Sequence, residues 1–178
     1  MATTRAIPAL VALASFATAA RADPPSRGGM VPVFSIAKSE NRNQVQYVIR
    51  LDDGCAPVGA APVSAYWRML EDGPTKTAPI LQREVRAYGL ASQTIVTRDA
   101  SGGTVRIALN ALPSRPMTVV TSRGSDGACR ALAVMPIAGA PAHLFNVFVH
   151  IKWDGVDYLL LRGWSMDGSR VVSEKISE

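Results

Sequence analysis

The chain reads as all-β: an antiparallel, meander-rich barrel, with a two-sheet β-sandwich as the alternative, carrying one short helix. Three observations lead there. Five Asp-Gly steps punctuate the sequence, at Asp53-Gly54, Asp72-Gly73, Asp126-Gly127, Asp154-Gly155 and Asp167-Gly168. Both residues tolerate the positive φ of tight hairpin turns, so each step marks a chain reversal. Between the steps apolar and polar residues alternate with the two-residue period of a half-buried strand. Only one segment, Thr77 to Tyr88, takes helical spacing instead.

The elements follow in chain order. Met1 to Ala22 has the form of a secretory signal: a basic start at Arg5, an apolar run from Ala6 to Ala19, and the small-x-small step Ala20-Arg21-Ala22. Pro8, Ser15 and Thr18 interrupt the run, which makes it a poor membrane anchor. The mature chain is expected to begin near Asp23 and to work in the periplasm or outside the cell. A Pro/Gly-rich leader over residues 23–30 precedes a single β domain, 31–178. Val45, Tyr47, Ile49 and Leu51 form one apolar face, with Gln44, Gln46 and Arg50 opposite. Val63, Ala65, Trp67 and Met69 form a second face, and Val105, Ile107 and Leu109 a third. The longest set is Phe145, Val147, Val149, Ile151 and Trp153, with Leu144, Asn146, Phe148, His150 and Lys152 pointing outward. That strand pairs with Val156–Arg162 across Asp154-Gly155. Nine or ten strands are expected in all. In Thr77–Tyr88, the residues Leu81, Val85 and Tyr88 share a helical stripe, Thr77 serves as cap, Pro79 suits the first turn and Gly89 ends it. Hairpin-length connections favour the barrel slightly over the sandwich.

Composition narrows the function classes. Beyond Ala22 there are seventeen basic and fourteen acidic residues, a formal charge of +3, with the basic residues scattered. No basic stripe or nucleic-acid motif is present, so nucleic acid is not an expected partner. No apolar run after the signal is long enough to span a bilayer. The two cysteines, Cys55 and Cys129, each lie beside turn-forming residues. An even number in an exported chain points to a disulfide rather than to free thiols or metal ligands.

Catalytic constellations are missing. His143, in the loop after Pro141, and His150, on an outward strand face, are the only histidines. With no paired Cys-x-x-Cys or His-x-x-x-His spacing, no metal is expected. Gly163-Trp164-Ser165-Met166-Asp167 approaches the G-x-S-x-G elbow, but Asp167 stands where the last glycine belongs, and the segment joins two strands. The glycine-containing turns at Gly102-Gly103 and Gly124–Gly127 open no helix, so no phosphate-bearing cofactor is implied.

Three short motifs and the C-terminal stretch carry a resemblance. Phe34-Ser-Ile-Ala-Lys38-Ser-Glu-Asn41-Arg42-Asn43-Gln-Val-Gln-Tyr47, Pro62-Val-Ser-Ala-Tyr66-Trp67, Glu84-Val-Arg-Ala-Tyr88-Gly89 and the ending Gly168–Ile176 resemble, in this order and spacing, a family of exported bacterial proteins catalogued as a domain of unknown function, number 4833. The resemblance runs from about Phe34 to Ile176. It brings no activity, cofactor or catalytic residue. It implies that the polar turn Lys38–Asn43, the Tyr66-Trp67 pair and the Glu84/Tyr88 helix belong to a shared design.

These same residues are the candidate ligand-binding set: Lys38, Asn41, Arg42, Asn43, Tyr66, Trp67, Glu84 and Tyr88. Asn side chains offer donors and acceptors together, which suits sugars or peptide backbones; they also form side-chain-capped turns. Trp67 can stack on a ligand, yet its alignment with Val63 and Ala65 makes it core first. By elimination the expected function is a non-catalytic module that binds a small apolar or amphipathic ligand, at a mouth lined by residues such as Trp67, Phe145, Val147 and Trp153, or an envelope protein through a strand edge. The alternative is a hydrolase of cell-wall or polysaccharide material, using Glu84 or Glu174 as one of two facing carboxylates.

Overall fold

The computed structural model describes residues 29–153 and 155–177. The expected signal, Met1–Ala22, and most of the leader lie outside the described residues. Eleven strands are seen among them: β1 (Gly29–Lys38), β2 (Asn41–Leu51), β3 (Val63–Arg68), β4 (Thr77–Pro79), β5 (Leu90–Asp99), β6 (Gly102–Leu109), β7 (Leu112–Arg123), β8 (Cys129–Ile137), β9 (Ala140–Lys152), β10 (Gly155–Ser165) and β11 (Val171–Ser177). β1 therefore starts inside the segment expected to be leader.

All eleven belong to one sheet, in the order β4-β3-β2-β1-β9-β8-β7-β6-β5, with β10 and β11 branching from β9. Neighbours are antiparallel except β1 and β9, which run parallel where Ser35–Lys38 meets Asn146–Val149. β9 makes this branch possible. One of its edges pairs with β8 up to Leu144 and with β1 from Asn146, while β10 follows the other edge. A register shift opposite Arg162/Gly163 marks the changeover. It flips the inward phase, so Ala142 and Leu144 are buried before it and Val147 and Val149 after it. A one-residue slip exchanges the faces of a strand. Leu144 is consequently core, not outward, and Trp153, expected inside, is 97 % exposed. His143 lies within β9 itself.

The mixed sheet closes into neither the expected barrel nor a sandwich of two separate sheets. β3 and β5 do approach each other, but β4 already occupies β3 at Tyr66–Arg68. β5 in turn carries irregularities between Leu90/Ser92 and Ile95/Thr97. The Gln93 side chain bridges the remaining seam between β5 and β3. The Val63 N–H donates to Gln93 Oε1 at 3.0 Å, and Gln93 Nε2 donates to the Val63 carbonyl at 3.2 Å. Replacing Gln93 with Leu strips both partners from the Val63 backbone. A loss of about 1–3 kcal/mol in urea unfolding is expected; an unchanged midpoint would show that water replaces the amide at no cost.

The alternating faces pack as read. Val45, Tyr47, Ile49, Val105 and Ile107 are wholly buried, joined by Val119 and Ala133. Tyr47 stacks on Phe34 with ring centroids 4.3 Å apart. Gln46, expected on the outer face, is buried. Its Nε2 donates to the Phe34 carbonyl at 2.9 Å, beside the β1 irregularity at Pro32/Phe34. The Cys55–Cys129 disulfide is formed, with the Cα atoms 5.2 Å apart.

The helix is shorter than its stripe implied. Thr77–Pro79 is an edge strand, followed by a 3-10 turn (Gln82–Glu84) and α1 (Val85–Tyr88). Strand pairing to Tyr66, Trp67 and Arg68 takes the first turn away from the helix, so Thr77 caps nothing. Gly89 ends the helix as read, its N–H donating to the Val85 carbonyl at 2.7 Å. A Cβ there would stand 2.5 Å from that oxygen, which is why only glycine fits.

Candidate functional site

The two-residue turn Ser39-Glu40 between β1 and β2 sets Lys38, Asn41 and Asn43 on a lip. Asn41 Oδ1 accepts the Asn43 N–H at 3.1 Å, the side-chain-capped turn that asparagine favours. Asn43 Oδ1 accepts the Glu71 N–H at 3.2 Å, and Glu71 Oε1 accepts the Arg42 N–H at 3.2 Å. The lip is thereby knitted to the turn after β3. With both Asn carbonyls committed to backbone, their amide nitrogens remain as donors.

Below the lip lies an open cleft of about 270 Å³. Trp67 and Met69 supply one wall, Ala78 and Pro79 of β4 a second, and Leu81 with Glu84 a third. Trp67 is only 9 % exposed, so the core reading and the site reading meet in one side chain: one part of the indole packs inward and another floors the cleft. Its edge meets Tyr88 with centroids 5.1 Å apart and planes at 77°. The Lys38 ammonium stands 5.5 Å from the indole centroid, within cation–π range.

Glu84 is tied down by the short helix. Its Oε2 accepts Trp67 Nε1–H at 3.0 Å and the Leu81 N–H at 2.9 Å. Burial pushes its carboxyl up, but the Leu81 and Trp67 bonds and the Arg83 and Lys38 charges outweigh burial and hold it below the ordinary glutamate range. Glu84 is thus a carboxylate at neutral pH, an acceptor rather than a proton donor. Burial first, and then the Glu84 and Glu40 carboxylates, raise the Tyr88 phenol.

Of the candidate set, the fold brings Lys38, Asn41, Asn43, Trp67 and Glu84 into the cleft, with Tyr88 directly behind Trp67. Arg42 and Tyr66 are not among the lining residues. Tyr66 alternates with Trp67 on β3 and so points to the other face. Met69, Ala78, Pro79 and Leu81 were missed as a group. Met69 shares the Trp67 face, a signal present in the sequence; β4 carried none, because its three residues lay inside an apparent helical stripe.

The other candidates are committed elsewhere. Both Glu174 oxygens meet Arg115 at 2.9 Å, and Oε2 also accepts the Ala138 N–H at 2.8 Å. The Arg115 hydrogen bonds foremost hold the Glu174 carboxyl below its ordinary range. A depressed folded value contributes stability above the unfolded value, near 4.3, and the contribution fades as pH falls through the folded value. Glu174→Gln is therefore expected to lower the thermal midpoint at pH 7, and the gap to the unaltered protein should close toward pH 3. A gap independent of pH would assign the loss to packing instead.

Ser165 donates to Asp167, whose carboxyl its hydroxyl and Ser169 hold at about 2. Gly168 N–H meets the Ser165 carbonyl at 2.7 Å, which makes this segment a hairpin turn and not a nucleophile elbow. His150 Nδ1 lies 3.1 Å from Asp157 and its ring stacks on Tyr158. Among the described residues no group of three His, Cys, Asp or Glu side chains is arranged to hold a metal, and no helix is long and apolar enough to cross a membrane.

Fold and cleft together define an all-β domain with an amphipathic surface cleft, floored by one tryptophan and rimmed by one cation, one carboxylate and two amides. The chain belongs to the family catalogued as a domain of unknown function, DUF4833, whose model matches residues 34–175. Comparisons with curated proteins and with solved structures find no match.

Proposed function

We propose that this is an exported protein of the periplasm or the cell exterior that binds a small amphipathic ligand, without catalysis, in the Trp67 cleft. The observation that carries this reading is the convergence of Lys38, Asn41, Asn43, Trp67 and Glu84 from three separate stretches of chain onto one concavity. An aromatic floor with a few placed polar groups is the usual composition of a small-ligand site. The basic and apolar run ending in Ala20-Arg21-Ala22 supports export, and the Cys55–Cys129 bond suits an oxidising compartment. For the hydrolase alternative, Glu84 is ionised and the other candidate, Glu174, is clasped by Arg115, so neither offers the protonated acid that glycoside cleavage requires.

The test is recovery of the full-length product from cell fractions. The expected result is an envelope-fraction protein beginning near Asp23, carrying a co-purified small molecule that Lys38→Met and Asn41→Ala variants retain poorly. A cytosolic protein with Met1 intact would overturn export. Native mass spectrometry finding no bound molecule would overturn ligand carriage.

A further inference from the structure

A second cavity, also about 270 Å³ but more enclosed, lies behind the cleft. Its walls are almost wholly apolar: Ile36, Leu109, Leu112, Val147, Val149 and Leu159. Two elements run from one space to the other. On β1, Ile36 lines the cavity and Lys38 the cleft, two residues apart and hence on the same face. On the short helical turn, Glu84 faces the cleft while Ala87 and Tyr88 line the cavity. Between the spaces stands the Trp67–Tyr88 pair, each ring contributing to a different one. Either volume alone is at the low end for a small-ligand site; joined, they fall well inside the range.

The polar groups limit the head of such a ligand. Lys38 and Glu84 are the charged residues lining the cleft, one of each sign, and Lys38 also pairs with Glu40 at 3.2 Å. A full ionic charge entering here gains attraction from one partner and repulsion from another while losing its hydration. Hydroxyl groups face no such conflict. They accept from Lys38 Nζ and the two Asn amides and donate to the Glu84 carboxylate.

We propose that cleft and cavity form one site for an amphiphile with a neutral, polyhydroxylated head and a short hydrocarbon tail. The head lies among Lys38, Asn41, Asn43 and Glu84. The tail passes the Trp67–Tyr88 pair and is buried against Ile36, Val147 and Leu159. This rests on the cleft being a ligand site, and it adds the head chemistry and the second compartment.

Calorimetric titration below the critical micelle concentration tests it, with hexyl, heptyl and octyl β-glucoside, glucose, octanoate and octylamine as probes. Each methylene from hexyl to octyl should tighten binding about fourfold, the value for full transfer of CH₂ from water. Glucose alone should bind at least about 100-fold more weakly than octyl glucoside, and both ionic octyl probes at least about tenfold more weakly. Ala111→Trp places a large ring at the exposed cavity mouth and should abolish the methylene dependence; Ala87→Trp serves the same end if the first variant folds poorly. A flat chain-length series, or one unmoved by both variants, overturns the buried tail. Tighter binding of octanoate or octylamine overturns the neutral head. If these probes fail while a molecule still co-purifies in the cleft, this inference falls and the proposed function stands; if nothing co-purifies either, both fall.

Discussion

Trp67→Ala is expected to lower the unfolding free energy by about 3–5 kcal/mol, the range for removing a large aromatic from a packed interior. The side chain is 9 % exposed and contacts both core and cleft, so its loss opens a void and also strips a donor from a carboxylate. Trp67→Phe separates the two effects. It keeps most of the ring volume and the edge contact with Tyr88, while leaving Glu84 without its indole N–H. A hydrogen bond to a charged acceptor contributes about 1.5–3 kcal/mol, so the Phe variant should fall clearly between Ala and the unaltered protein in urea unfolding. In both variants the Glu84 carboxyl should titrate at higher pH, because a bond that favours its charged form is gone. Equal stability of all three proteins would mean that Trp67 is a surface residue in solution and that the cleft has no fixed floor.

Breaking the Cys55–Cys129 bond is the second large effect, about 2–5 kcal/mol by the general range for native disulfides of small domains. The two half-cystines are 74 residues apart, and both are buried, at 0 % and 5 % exposure. Their positions matter more than the count. Cys55 follows β2 and Cys129 begins β8, strands whose only ladder route to each other runs through β1 and β9. That route includes the short parallel pairing of Ser35–Lys38 with Asn146–Val149. The cross-link therefore ties the two wings of an open sheet whose far seam is held by Gln93. A Cys55→Ala/Cys129→Ala double variant should unfold at lower urea with a steeper slope, since an unlinked unfolded chain exposes more surface. Combining it with Gln93→Leu should cost more than the two separate losses together, because both close the same structure. Simple additivity would show the two closures to be independent.

Much of this was legible beforehand because it is local chemistry. Asp-Gly steps announce reversals whatever the partners, and period-two alternation in Val45–Leu51, Val63–Met69 and Val105–Leu109 identifies the faces that became core. The Lys38–Asn43 lip stands out as a polar turn between alternating strands, and Glu84 through the Glu84/Tyr88 motif of the short helix. Other features depended on neighbours. Leu144 faces inward against the alternation because β9 carries an extra residue, Phe145, where its pairing shifts, and Trp153 is exposed because it falls in the turn beyond the end of β9. Gln46 and Gln93 look like ordinary outward polar residues, yet one satisfies a buried carbonyl and the other bridges a seam. The helical stripe over Thr77–Tyr88 was cut short when β3 captured Thr77–Pro79.

Strand composition, turn positions, the cysteine pair and the polar lip were determined by the amino-acid order alone, since each follows from φ preference, side-chain periodicity or thiol chemistry within a short stretch. Whether the sheet closed, which half of β9 faced inward, and that Lys38, Trp67 and Glu84 would meet around one concavity were decided only by tertiary structure. Those outcomes depend on which backbone edge finds which partner, and hydrogen-bonding edges are identical from strand to strand until packing chooses between them.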